Sequence, residues 1–308
     1  MHIPDGFLSP PVWATLDIAA APAVAIIARK ARTEVDDFRI PLLGTLGAFV
    51  FAAQMVNFPV GLGTSGHLIG GALLVYALGP ATASIVMTAI LGIQALVFQD
   101  GGLLALGANV MNMAVAGVFA AYLPLAMWRS SRSHSGPVFA GAVLSVLVSA
   151  CLAISELLIS GVKIPRSVLA VSLCLFAASA LIEGIITVAV VRAIERLHPS
   201  WVHRPARKIS PVYAAFAAGA VILASIGVVI ATAAPDGVQQ LAQQVGIASR
   251  ETATIESPLR AYALPVLGSA ALGRVAAGLI GVALIFTVCL WIGRRIGRRR
   301  QAAAHEGF

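Results

Sequence analysis

Charge is scarce in this sequence. Only 11% of its 308 residues are charged and 59% are hydrophobic, with a mean hydropathy of +0.92, whereas a soluble domain carries about 25% charged residues. So few charges cannot cover a globular surface, and the bilayer must act as solvent for the chain. Cysteine is nearly absent: Cys151, Cys174 and Cys289 all fall in apolar runs and form no CxxC pair, which excludes a zinc knuckle or a redox motif. No GxxxxGK[ST] phosphate loop occurs. Gly61 and Gly66 have the glycine spacing, but His67 stands where lysine is needed, so ATP hydrolysis by this chain itself is not expected. Aromatic residues are 6% of the chain and do not cluster, which argues against an aromatic-lined pocket for an organic ligand. The net charge of +8 comes from short basic clusters between apolar runs, not from an aromatic-laced basic stripe, so nucleic acid is not a partner.

What remains is apolar chain. About nine membrane-embedded segments are expected, at 11–28, 40–57, 67–79, 81–98, 102–127, 137–160, 166–191, 211–233 and 272–293. The third is short for a full crossing. The start does not read as a signal peptide, since it lacks a basic region and is broken by Asp5 and three prolines. With the N-terminus outside and the C-terminus inside, sixteen Lys and Arg residues fall on inner loops and the tail, and five (Lys163, Arg166, Arg250, Arg260, Arg274) fall outside. The expected class is an all-α polytopic membrane protein. A core of about seven helices spans 1–195 and a basic inner linker 196–210. A two-helix hairpin spans 211–308, its outer loop at about 234–270 reading as a short surface helix followed by irregular chain.

Three stretches carry chemistry. Met1-His2 is a ready chelator: the amine, the deprotonated His2 amide and one imidazole nitrogen close fused five- and six-membered rings that set three nitrogens in a plane. A fourth would complete the square-planar geometry suited to Ni(II) or Cu(II). Pro4-Asp5-Gly6 supplies a turn that folds the chain back. The second stretch, Asn57 to His67, is a glycine-rich loop on the same outer side. His134, His198, His203 and His305 are all placed inside, which leaves His67 as the imidazole available to complete the site. The third, Gln99-Asp100-Gly101-Gly102 through Asn109 and Asn112, is the next outer turn. Gln54 with Asn57, and Asn109 with Asn112, are spaced three apart along helices. With Ser65, Gln99 and Asp100 they are candidates for the groups that orient the imidazoles, although ordinary interhelical hydrogen bonding serves as well for each amide. The intramembrane acids Asp17, Glu156 and Glu183 must face protein or water, either in a metal relay or in packing.

Met1 to Pro10, Gly63-Thr64-Ser65-Gly66-His67-Leu68, and Gln99-Asp100-Gly101-Gly102 with Leu106-Gly107-Ala108-Asn109 together resemble the nickel/cobalt substrate-capture subunits of energy-coupling factor transporters, the NikM/CbiM family. The resemblance covers about residues 1–195. Past about 210 the chain resembles a companion small subunit often fused to them, with Pro235-Asp236-Gly237-Val238 and Gln239 near its Pro-Asp-Gly-Leu-Glu motif. That resemblance implies Met1, His2 and His67 as metal ligands, Ni2+ or Co2+ as transported substrate, and no organic cofactor. The Pro-Asp-Gly start favours nickel. It further implies a transmembrane coupling (T) subunit and cytoplasmic ATPases as partners, a bacterial inner-membrane location, and no catalysis by this chain. Two other readings stay open: capture of an organic micronutrient such as a vitamin, and an intramembrane serine protease using Ser65 of Gly63-Thr64-Ser65-Gly66.

Overall fold

The computed structural model describes residues 1–35, 40–128, 134–197 and 211–305. The expected linker from 198 onward, Arg39, and Arg129 with Arg132 lie outside the described residues. Helix α1 (Pro10–Glu34) opens with two prolines, whose fixed φ suits a first helical turn and whose missing N–H would be unpaired there in any case. It is followed by α2 (Ile40–Gln54) and by two short antiparallel strands, β1 (Phe58–Gly61) and β2 (Thr64–Gly66). Next come α3 (Gly71–Leu78), α4 (Pro80–Phe98), α5 (Leu106–Met127), α6 (Ser135–Ile159) and α7 (Arg166–Leu197). The C-terminal part holds α8 (Pro211–Ile230), the small α9 (Gly237–Gln244) and α10 (Ala270–His305).

Seven of these helices are long and apolar enough to cross a membrane, so this is a multi-pass membrane protein. Helix α3 has only 8 residues, about 12 Å at 1.5 Å per residue, too short to cross alone. Helix α2 also departs from the usual length, with 15 residues. Its side chains are apolar all round and nearly all buried, because the bundle packs on one face and α8 and α10 on the other.

Glycines make the second contact possible. A Cβ at Gly44 would stand 2.9 Å from Phe286, and one at Gly47 would stand 2.9 Å from the Cys289 sulfur. Small residues let helix backbones approach in lipid, where apolar side chains alone give no preference for protein over tails. The C-terminal hairpin is therefore docked on the core and not merely tethered to it.

Two sequence expectations change locally. The glycine loop before His67 is a β-hairpin in which Gly61 pairs with Thr64. Leu62 and Gly63 between them both have positive φ (50° and 74°), the turn that matches strand twist. In α5 the winding loosens into a π-helix over Val110–Gly117. Asn112 therefore does not share the Asn109 face as regular α spacing predicts.

Candidate metal centre

The first six residues run as irregular chain into the mouth of the bundle, and His2, at 5% exposure, is buried there. Their course is set by side chains of the third sequence stretch. Asn109 holds Ile3 from both directions: the Ile3 N–H donates to Oδ1 at 2.8 Å, and Nδ2 donates to the Ile3 carbonyl at 3.1 Å. Gly102 N–H donates to the same carbonyl at 2.9 Å. Asp5 accepts from the N–H groups of Leu104 and Ala105 and from the Thr254 hydroxyl. Gly102 must be glycine for this approach, since a Cβ there would sit 2.1 Å from Asp5 Oδ1.

These contacts bring the Met1 amine to 2.5 Å from His67 Nε2 and 2.7 Å from Asp236 Oδ2. The His2 and His67 rings are parallel within 4°, with centroids 5.4 Å apart. His67 Nδ1 lies 3.1 Å from the Leu68 carbonyl. Nδ1 must therefore carry the proton, which leaves Nε2 with a free lone pair toward the amine. Burial, then the N-terminal ammonium, then His2 push the His67 pKa down to about 3, so the ring stays neutral, the form that binds metal. His2 Nδ1 faces Asp100 Oδ1 at 3.2 Å, and its Nε2 is buried without a hydrogen-bond partner. Desolvation would lift the Asp100 carboxyl. His2, by charge and hydrogen bond, and the Tyr262 hydroxyl at 2.6 Å hold it below the ordinary carboxylate range instead. For Asp236, burial is outweighed by the N-terminal ammonium, and its carboxyl too lies below the usual value.

The remaining candidates divide. Asn109 and Asp100 touch the N-terminal segment directly. Gln54 lies one layer out, donating to the Ile69 carbonyl and accepting from Gln94 Nε2, both at 2.8 Å. Gln99 and Asn57 line a cavity of about 530 Å³ beside His67. The Ser65 hydroxyl donates to the Ala234 carbonyl at 2.7 Å, and both nitrogens of His67 are engaged elsewhere. Among the described residues Ser65 therefore has no base. Asn112 is turned away from the site and donates to Glu156 at 2.8 Å, an interhelical hydrogen bond.

Sequence reasoning passed over the contribution of the C-terminal part to the site itself. Asp236 caps α9 through Oδ1, which accepts from Val238 and Gln239 N–H, while Oδ2 takes the Met1 amine. Gln239 completes this capping box by accepting from the Asp236 N–H, a role that needs no charge. Tyr262 holds Asp100, and Ser65 N–H donates to the Pro235 carbonyl. The second Pro-Asp-Gly, at 235–237, was the available signal. Among the described residues no three His, Cys, Asp or Glu side chains group as a metal site.

A family model described as cobalt uptake substrate-specific transmembrane region matches residues 2–201. A protein of Archaeoglobus fulgidus, provisionally named a fused nickel transport protein NikMN, is 32% identical over 297 residues, which cover 94% of this chain and 96% of that one. The cobalt transport protein CbiM of Thermosediminibacter oceani is 35% identical over 207 residues, covering 63% of this chain and 84% of its own. The crystal structure of a truncated transition metal transporter superposes with a TM-score of 0.57 at 33% identity, covering 64% of this chain and all of that one.

Proposed function

The chain belongs to the CbiM family of substrate-specific transmembrane regions for cobalt uptake, and from that premise we propose that it is the metal-capturing subunit of an ATP-driven importer of Ni2+ or Co2+. The proposed ligands are the Met1 amine, the His2 amide and imidazole, and His67 Nε2. The observation that carries this reading is the 2.5 Å approach of the amine to an unprotonated, buried imidazole nitrogen. At metal–nitrogen bonds of roughly 2.0 Å, two ligands at right angles lie about 2.8 Å apart. The pair needs to open by only a few tenths of an ångström. The six-membered chelate ring uses His2 Nδ1, so on loading that nitrogen exchanges Asp100 for the metal. Nickel is favoured because these are all nitrogen donors that can share one plane, without thiolate.

The cavity beside His67, lined by Asp5, Asp100, Asp236 and Glu251 with Arg260 as its one basic residue among those described, suits entry of a hydrated cation. Met1 faces outward in this reading. The coupling subunit and the ATPases act from within the membrane and from the inner side, and this chain performs no catalysis.

The test is titration with Ni(II) and Co(II) of protein whose mass confirms a free Met1, against a form with one alanine added before Met1. The extension moves the chelate register by one residue. Binding should collapse. Unchanged binding would place the ligands elsewhere and end this reading.

A further inference from the structure

Glu183 is not among the proposed ligands, yet it sits 1% exposed in the middle of α7, where a carboxylate is costly. Among the described residues it makes no ion pair. Its two oxygens accept from two successive backbone groups instead, Ile69 N–H at 2.8 Å and Gly70 N–H at 2.9 Å. The Ile69 carbonyl is taken in turn by Gln54 Nε2. Gly70 has φ of +79°, and a Cβ there would stand 2.6 Å from Val50. The backbone is thus held from three directions at the residues just after His67. The carbonyl before that clamp, Leu68, is the one that faces His67 Nδ1.

The same face of α7 runs along the rest of the site. Ser179, one turn before Glu183, would meet a Cβ at Gly66 at 2.7 Å, and Phe176 would meet one at Gly237 at 2.4 Å. A single stripe of one membrane helix therefore backs the residue before His67, the turn after it, and the loop that carries Asp236.

Resting on the metal-capture reading for its use, we infer that Glu183 is the positioning residue for His67. It fixes the Ile69–Gly70 turn so that the Leu68 carbonyl takes the Nδ1 proton and Nε2 is left bare toward the Met1 amine. The carboxylate gives each N–H group its own oxygen, whereas glutamine would have to crowd both onto one oxygen and turn its NH2 donor toward the backbone. Serine or threonine would be too short to reach either from α7. The role is indirect, since among the described residues Glu183 hydrogen-bonds neither the ammonium nor either imidazole and acts on the ammonium only through its charge. It reaches the metal through the direction of one carbonyl, as groups that orient metal-bound histidines do.

The experiment compares Glu183→Gln and the shortened but still anionic Glu183→Asp with the unaltered protein, all metal-free and folded by circular dichroism. Nitrogen-15 spectra of labelled histidine report the His67 tautomer without any metal. The unaltered protein should show one species protonated at Nδ1, and both variants a mixture. Nickel titration should then show affinity reduced about tenfold in the variants, and reduced less than about twofold when His67 is already alanine. An unchanged tautomer overturns the inference, and so does an equal affinity loss with and without His67, because Glu183 would then act on the bundle at large. If His67→Ala binds nickel like the unaltered protein, the metal reading falls, and the tautomer result still decides the role of Glu183.

Discussion

Met1–Gly6 and His67–Gly70 bring nitrogen to the same point and are held there in different ways. Met1–Gly6 has no regular structure and is fixed from outside. Asn109 and Gly102 grip Ile3, the loop at 104–105 grips Asp5, and Thr252, Thr254 and Asp236 of the C-terminal part close over it. The turn at His67–Gly70 is fixed from within, by Glu183 of α7 and Gln54 of α2, and takes little from the C-terminal part. One segment is a strap that both modules must fasten, whereas the other is held mainly by the core, with Asp236 Oδ2 4.0 Å from His67 Nε2. A strap can be released without unfolding the bundle, and under the proposed function capture followed by delivery requires that one half of the site move.

The largest effect should come from removing the fixed half. His67→Ala takes away the fourth nitrogen, and nickel affinity should fall at least about a hundredfold, leaving a weak three-nitrogen chelate at Met1-His2. Titration decides it, and a loss of less than about fivefold would mean that the strap alone makes the site. The next largest should come from cutting the strap. Asn109→Ala strands the buried Ile3 N–H, a cost of about 1–3 kcal/mol, which corresponds to roughly a tenfold or greater loss of affinity. Proteolysis near Met1 should accelerate, while the His67 tautomer stays as it was. A change in that tautomer would break the distinction between the two halves.

Asp236→Asn should cost less. The asparagine oxygen still caps α9, but the ammonium loses its counter-charge. A hydrogen bond between charged groups contributes about 1.5–3 kcal/mol; it is lost because the asparagine NH2 then faces the amine, which keeps His67 Nε2 as its acceptor. A threefold to tenfold change in nickel affinity is expected, with the C-terminal hairpin still docked on α2. Loss of docking would show that Asp236 serves assembly and not the amine.

This ordering follows how much each feature showed in the sequence. The strap and His67 lie in short contiguous stretches whose residue types state their chemistry, and the apolar runs gave the helices. Asp236 and Tyr262 lie more than a hundred residues away and reach the site through a docking that Gly44 and Gly47 permit. No local pattern encodes such a contact. Asn112 misled for a definite reason: an i, i+3 argument assumes α-helical winding, and the π-helix over Val110–Gly117 turns it toward Glu156. Glu183 was visible as an intramembrane acid, but nothing in its own neighbourhood named the two N–H groups of Ile69 and Gly70 as its partners.

Tyr262 offers the finest test of the comparison. It and Ala261 both have positive φ (54° and 52°), which costs a non-glycine residue on the order of 1–2 kcal/mol. Packing holds the ring there, stacked on Phe98 with centroids 4.6 Å apart and tilted beside Phe51. Its hydroxyl donates to Asp100 and also meets the Gln94 side chain, and Asp100 in turn faces His2 of the strap. Tyr262→Phe keeps the packing and removes that hydroxyl. Asp100 then answers to His2 alone, which strengthens the contact that His2 Nδ1 must give up to the metal. Nickel should therefore bind about twofold to threefold more slowly, a shift well under 1 kcal/mol, with the final spectrum of the nickel complex unchanged. A variant that loads faster would mean that the tyrosine restrains the strap through the shape of the loop and not through the carboxylate.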